Sequence, residues 1–195
     1  MSLMLSMAAF ALAASISPGP VNIVALSAGA RHGFRASLRH VSGATLGFVL
    51  LLVLIGLGLH ELLRHWPAMT QVLHWAGVVF LLYMAWKLAS DNGELGAGGN
   101  TAAPSVLAGA TLQWLNPKAW LACVAGIGAY VGEGDSRRLW QFSAIYLVIC
   151  FLSIASWAWA GSAISHSLSN AQRMRRFNRC LALLLLASAL YLLVG

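Results

Sequence analysis

Six long apolar stretches constrain what this chain can fold into. Each is close to the length of about 20 mostly apolar residues that a helix needs to cross the hydrocarbon core of a bilayer. Only 9% of the 195 residues are charged, against about 25% in a soluble domain. We therefore predict an all-α membrane protein with six transmembrane helices, at about residues 3–30, 40–63, 70–89, 104–131, 139–162 and 177–193.

The basic residues predict the orientation of these spans. Loops with an excess of Lys and Arg face the cytoplasm. Loops one, three and five carry eight of the twelve basic residues, loops two and four carry three, and the last, Lys118, lies inside the fourth span. We expect a bacterial inner-membrane protein whose termini are both periplasmic. The net charge of +7 then reflects topology, and we predict no nucleic-acid partner because no basic face or aromatic reading platform accompanies it.

A linker divides the chain into two halves, and each half opens with a span that is broken by proline. Pro18 interrupts the first span and Pro117 the fourth, each about fifteen residues in. Residues 90–103 have the composition of a flexible linker. The predicted domains are a first three-helix repeat at 1–89, this linker, and a second repeat at 104–195. Because three spans is an odd number, the second repeat inserts upside down, as in a 3+3 inverted-topology repeat, and paired broken helices point to a transporter's binding site.

The first break is the segment Ser17, Pro18, Gly19 and Pro20, followed closely by Asn22. Proline removes a backbone donor and glycine tolerates unusual dihedral angles, so backbone groups near mid-membrane lose their helical partners. Lipid cannot satisfy them, and they must face protein, water or substrate. The alternative is a simple proline kink filled by a neighbouring helix; the flanking polar groups favour substrate binding.

The second break contains Gln113, Asn116, Pro117 and Lys118. A lysine inside a span costs about 2.5–3.5 kcal/mol on insertion scales unless it snorkels or finds a partner. Lys118 has three possible roles: attracting a substrate carboxylate, snorkelling to an interface, or binding carbonyls freed by the opposite break. The amide of Asn116 is expected to satisfy an orphaned backbone group.

Gly43 and Gly47 form a small-residue pair on the second span. This spacing favours close helix packing and, secondarily, a dimer face, so a homodimer is possible.

The sequence holds no recognisable catalytic set. Its five carboxylates, Glu61, Asp91, Glu94, Glu133 and Asp135, fall in loops or at helix ends, and it lacks a nucleotide-binding loop and hydrolase or zinc-protease motifs. Cys123, Cys150 and Cys180 show neither metal-ligand nor C-x-x-C spacing. We predict no cofactor, no metal and no enzymatic activity.

These motifs resemble the LysE/RhtB-type amino-acid exporters. The resemblance rests on Ser17–Asn22, Gly33-Phe34-Arg35, Gly43-x-x-x-Gly47 and Asn116-Pro117-Lys118, and it covers essentially the whole chain. The segment around His32–Arg35 is most similar to the exporters of cysteine and O-acetylserine. The resemblance implies efflux of amino acids or close derivatives, driven by the proton motive force.

We therefore predict a secondary transporter that exports small neutral amino acids or derivatives, either cysteine/O-acetylserine-like or homoserine/threonine-like. The predicted substrate-binding residues are Ser17, Pro18, Gly19, Pro20, Asn22, Gln113, Asn116, Pro117 and Lys118. The alternatives are a membrane scaffold or redox partner without transport activity, and an intramembrane enzyme.

Overall fold

The structure, a computed structural model, describes residues 2–59, 67–92, 105–131, 135–168 and 170–194. Within these ranges the chain forms seven α-helices and no strand, which confirms the prediction of an all-helical protein. Two short turns, a π-helical one at Ile55–Leu59 and a 3-10 one at Ser165–Leu168, each extend the C-terminal end of a long helix. The helices are α1 (Leu3–Ile16), α2 (Pro20–Leu54), α3 (Pro67–Ala89), α4 (Val106–Trp114), α5 (Pro117–Tyr130), α6 (Ser136–Ile164) and α7 (Ala171–Val194).

Two stretches of the described chain are long and apolar enough to cross a membrane. They are Pro20–Leu59 and Ser136–Leu168, of 40 and 33 residues, and an 18-residue window within each has a mean hydropathy of 2.3 and 1.8, respectively. Length and composition alone do not distinguish such helices from the core of a soluble protein. The six-span arrangement therefore remains a prediction, and most of the predicted linker, from residue 93 onward, lies outside the described residues.

Both predicted helix breaks occur where the prolines lie. α1 ends at Ile16 and α2 begins at Pro20, while α4 ends at Trp114 and α5 begins at Pro117. Proline suits the first position of a helix because its missing N–H has no intrahelical partner there and its φ is already helical. Each of the two predicted broken spans therefore consists of two helices that meet at a short non-helical segment.

The predicted loop between the first two spans is smaller than expected. The predicted spans 3–30 and 40–63 leave residues 31–39 as a loop, but these residues lie in α2, and only Gly33 departs from helical geometry, with φ +78° and ψ 167°. An L side chain rarely adopts such a φ, so glycine allows one residue to replace a loop.

Contacts with α6 indicate that the chain reverses at Gly33. A methyl group at Gly29 would meet Ala158, and Phe48 stacks on Tyr146 with ring centroids 4.3 Å apart. A straight helix would cover about 28 Å from Gly29 to Phe48, whereas their partners lie about 18 Å apart along α6. If the chain reverses at Gly33, the segments before and after it run in opposite directions along α6, and the distance from Gly29 to Phe48 falls to about that between their partners. Thus α2 has two arms, 20–32 and 34–54, that both pack on α6.

Glycines allow these helices to approach closely. A methyl group at Gly43 would collide with the Val106 backbone, and one at Gly109 with the His40 carbonyl. Gly47 lies at the same crossing, where a methyl group would come within 2.9 Å of the Ala110 Cα. Small residues permit such backbone contact between helices. Arm 34–54 is thereby held against α4, the first half of the second broken span.

Candidate functional site

The two broken spans run antiparallel and meet at their breaks. Tyr130, at the end of α5, hydrogen-bonds Ser6 near the start of α1, with 3.0 Å between hydroxyl oxygens. At the start of α5, Lys118 contacts Ser17, which follows α1. The last turn of one span therefore pairs with the first turn of the other, and the two proline breaks come together although about 100 residues separate them in the sequence.

A small cavity lies at this meeting point. Its volume is about 40 Å³, which is enough for roughly three water molecules. Of the predicted site residues, Gly19, Asn22, Gln113, Asn116 and Lys118 line it. The remaining lining comes from α1, both arms of α2, α5 and α6: Ala14, Ser15, Val21, Phe48, Ala119, Ala122, Tyr146, Cys150 and Ile154.

The other predicted site residues have different positions. Ser17 and Pro18 bind Lys118 through their oxygens. Pro20 and Pro117 begin α2 and α5 and do not line the cavity.

The first break is organised by Asn22. This side chain is 4% exposed, and its Nδ2 donates to the carbonyls of Ser15 at 2.8 Å and Ser17 at 2.9 Å. Two carbonyls freed by the break thus receive a partner. At the start of α2 the first backbone N–H groups lack intrahelical acceptors, and Val21 and Asn22, which carry them, line the cavity.

The second break is organised by Asn116. Its side chain caps α5 and accepts a hydrogen bond from the Lys118 N–H at 3.2 Å. The Trp120 indole N–H donates to the freed Trp114 carbonyl at 2.8 Å. The Trp114 indole in turn donates to the Gly47 carbonyl at 3.0 Å. The break is therefore held by side-chain hydrogen bonds, with Asn116 as acceptor and Trp120 as donor, that an unbroken helix would not need.

Lys118 joins the two breaks directly. Its Nζ donates to the Ser17 Oγ at 2.7 Å, the Ser17 carbonyl at 2.9 Å and the Pro18 carbonyl at 3.3 Å. Of the three roles the sequence left open, the structure shows the ammonium on carbonyls freed by the opposite break. No carboxylate is among the described residues that line the cavity, so the lysine charge is balanced there by neutral oxygens alone.

Two buried polar atoms of cavity-lining residues lack hydrogen bonds. They are the Gln113 Oε1 and the Tyr146 hydroxyl, on side chains 5% and 1% exposed. A buried polar group without a partner costs about 1–3 kcal/mol, and such groups are retained in native structures for a reason. An unpartnered acceptor and hydroxyl at a cavity are suited to hydrogen-bond a polar solute.

Sequence reasoning missed the contribution of α6. Tyr146 and Cys150 line the cavity, and Tyr146 also packs edge-on against Phe142. They lie in an unbroken apolar span without a proline or charge to mark them. The one available signal was a tyrosine in the middle of that span, where its hydroxyl needs a partner.

The described part of the chain offers no site for a metal. It contains no group of three or more His, Cys, Asp or Glu side chains placed to hold an ion. Cys123 and Cys150 are buried free thiols and Cys180 is exposed.

Comparison with known proteins identifies the family. The LysE type translocator family matches residues 12–195. The chain belongs to the LysE type translocator family. Proteins from Escherichia coli, Shigella flexneri and Shigella sonnei, each named a cysteine/O-acetylserine efflux protein, are each 32% identical to it over 183 residues. The matched region covers 92% of this chain and 92% of each relative. No solved structure gives a significant match.

Family membership confirms the resemblance seen in the motifs. A LysE type translocator moves a solute and makes or breaks no covalent bond in it, so the chain is a transporter and not an enzyme. The two proline segments fall inside the matched range, which begins at residue 12. The cavity between them therefore lies in the part of the chain that is common to the family.

Proposed function

We propose that this LysE type translocator exports small neutral amino acids or their derivatives from the cytoplasm to the periplasm. The observation that carries this proposal is that the two breaks meet at one small cavity, lined by Asn22, Asn116 and Lys118, with the Lys118 ammonium bound to the freed carbonyls of Ser17 and Pro18. The names of the relatives favour cysteine- or O-acetylserine-like substrates. Homoserine- or threonine-like substrates have the same zwitterionic core.

The cavity has groups for both charges of an amino acid. The N-terminus of α2 presents the free N–H groups of Val21 and Asn22, which suit a carboxylate because of the helix dipole. Carbonyls at the breaks suit an ammonium. The unpartnered Gln113 and Tyr146 side chains then hydrogen-bond polar atoms of the substrate. A zwitterionic amino acid can bind here without a buried carboxylate from the protein, because its own ammonium and carboxylate balance each other's charge.

The proposed architecture is six spans in a 3+3 inverted repeat, with residues 1–89 and 104–195 as the repeats and 90–103 as the linker. The antiparallel pairing of the two broken spans supports it, since each break contributes to one cavity. Alternating access follows if one repeat rocks against the other around this site. We propose the proton motive force as the energy source, a bacterial inner membrane as the location, and periplasmic termini.

Transport by the purified chain tests the proposal. Liposomes containing the protein are loaded with L-cysteine, O-acetyl-L-serine, L-homoserine or L-threonine, and efflux is measured with and without an imposed pH gradient. We expect efflux of at least one compound, faster with the gradient and slowed by a protonophore. Efflux no faster than from protein-free liposomes for all four contradicts the function, and efflux insensitive to the gradient contradicts the energy source alone.

Two amide variants test the location of the site. We expect Asn22→Ala and Asn116→Ala each to reduce transport more than tenfold, because each leaves backbone groups of a break without a partner, which costs about 1–3 kcal/mol where the substrate binds. Asn178→Ala is the matched control. Asn178 is a fully buried amide on α7 that does not line the cavity. Wild-type transport by both site variants, in protein that reaches the membrane, contradicts this assignment.

A further inference from the structure

We infer that Ser17 and Pro18 form the binding site for the substrate's ammonium group and that Lys118 occupies this site when the transporter is empty. The inference rests on the proposed function, because it requires a zwitterionic substrate in the cavity between the breaks. The Ser17 Oγ and the carbonyl oxygens of Ser17 and Pro18 together form this site, an ammonium cradle.

The geometry of Lys118 carries the inference. An ammonium has three donors and no acceptor, and Nζ meets three acceptors: the Ser17 Oγ at 2.7 Å, the Ser17 carbonyl at 2.9 Å and the Pro18 carbonyl at 3.3 Å. None of the three is a carboxylate. The cradle therefore recognises the shape and charge of a primary ammonium, and the α-ammonium of an amino acid presents the same three donors.

The substrate carboxylate makes the exchange possible. Two ammonium groups cannot share the cradle, so Lys118 has to leave when a substrate ammonium enters. A displaced lysine without a partner would be a partly buried, uncompensated charge, which is costly. The carboxylate of the same substrate is an anion within reach of the lysine as it moves. In the bound state the substrate ammonium then lies in the cradle, and its carboxylate is shared between Lys118 and the N–H groups at the start of α2.

The small volume of the cavity beside Lys118 also requires that the lysine side chain withdraw before an amino acid can bind. A cavity of about 40 Å³ has room for roughly three waters and is too small for an amino acid. Lys118 also packs closely over Gly19, where a methyl group would lie 3.2 Å from its Nζ and 3.3 Å from its Cδ. Withdrawal of the lysine side chain opens volume beside the cradle, where the substrate ammonium is to bind.

The exchange predicts selectivity for zwitterions. An amine without a carboxylate has to displace Lys118 and offers it nothing in return. L-cysteine and cysteamine, which differ by the carboxylate, are the probes. With the purified full chain kept reduced, we expect L-cysteine to bind more tightly than cysteamine by about tenfold or more, since hydrogen bonds to charged groups are worth more than that factor.

Lys118→Met removes the competitor for the cradle. We expect its affinity for L-cysteine to fall and its affinity for cysteamine to rise, so that the preference for L-cysteine shrinks at least about tenfold. Ser17→Ala is the matched control: it removes the same cradle oxygen from Lys118 in the empty state and from the ligand in the bound state, so the ratio of the two affinities should stay unchanged. An unchanged ratio in Lys118→Met overturns the inference, whereas a wild-type chain that binds no small neutral amino acid overturns the proposed function as well.

A measurement on the wild-type chain covers the case in which Lys118→Met does not fold. Lys87 and Lys118 are the two lysines in the sequence, so protein labelled with ¹⁵N at the lysine side chains gives two ammonium signals, and Lys87→Arg assigns them. Saturating L-cysteine should shift the Lys118 signal, while cysteamine at the same concentration should not. A Lys118 signal that stays in place at saturating L-cysteine overturns the exchange.

Discussion

Gln113 carries a buried acceptor that no group in the described structure satisfies. We expect Gln113→Leu to raise the free energy of unfolding by roughly 1 kcal/mol, because the cost of the unpartnered oxygen disappears. We expect it to reduce transport more than tenfold, because the substrate loses a hydrogen-bond partner. Thermal unfolding of the purified protein and efflux from liposomes measure the two effects.

Ser153→Ala is the control for this prediction. Ser153 is 3% exposed and its hydroxyl also lacks a partner, but it does not line the cavity. The same gain in stability is expected without loss of transport. If Gln113→Leu transports as well as Ser153→Ala, the Gln113 oxygen has no part in binding.

At the scale of helices, the close contact of α2 with α4 depends on glycine. A methyl group at Gly43 would collide with backbone atoms of Val106, which cannot rotate away as a side chain can. We expect Gly43→Ala to lower the free energy of unfolding by about 1–3 kcal/mol, the usual cost of overpacking. The thermal unfolding midpoint and the amount of protein in the membrane measure it.

Gly128→Ala separates packing from helix propensity. Gly128 is exposed on α5 and a methyl group there meets nothing within 4 Å. This variant should gain about 0.5–1 kcal/mol, because alanine is the better helix former. Equal stability of the two variants would show that the α2–α4 contact is looser than the structure indicates.

The proline breaks were predictable from sequence, whereas the length of the loop between the first two spans was overestimated. Proline removes a hydrogen bond from a helix interior and fits the first position of a helix, so α2 and α5 begin at Pro20 and Pro117. A basic cluster, by contrast, indicates the membrane side and not the length of a loop. Gly33 reverses the chain in one residue, which glycine permits but does not demand.

For the whole molecule, the distribution of Lys and Arg predicts that both termini are periplasmic. We expect alkaline phosphatase fused after Gly195 to be active, since it folds only outside the cytoplasm, and green fluorescent protein at the same point to be dark. A fusion after Asn92, in the third predicted loop, should show the reverse. Fluorescence from the fusion after Gly195 would contradict the orientation.

The sequence by itself determined the helical character of the chain, the two breaks and most of the polar groups beside them. These depend on hydrophobicity and on backbone restrictions that act within a few residues. Only the tertiary structure decided that the breaks meet, that Lys118 binds Ser17 and Pro18, and that Tyr146 completes the cavity from α6. Such contacts join residues up to about 130 positions apart, so they follow from the direction and register in which whole helices pack, which no local pattern encodes.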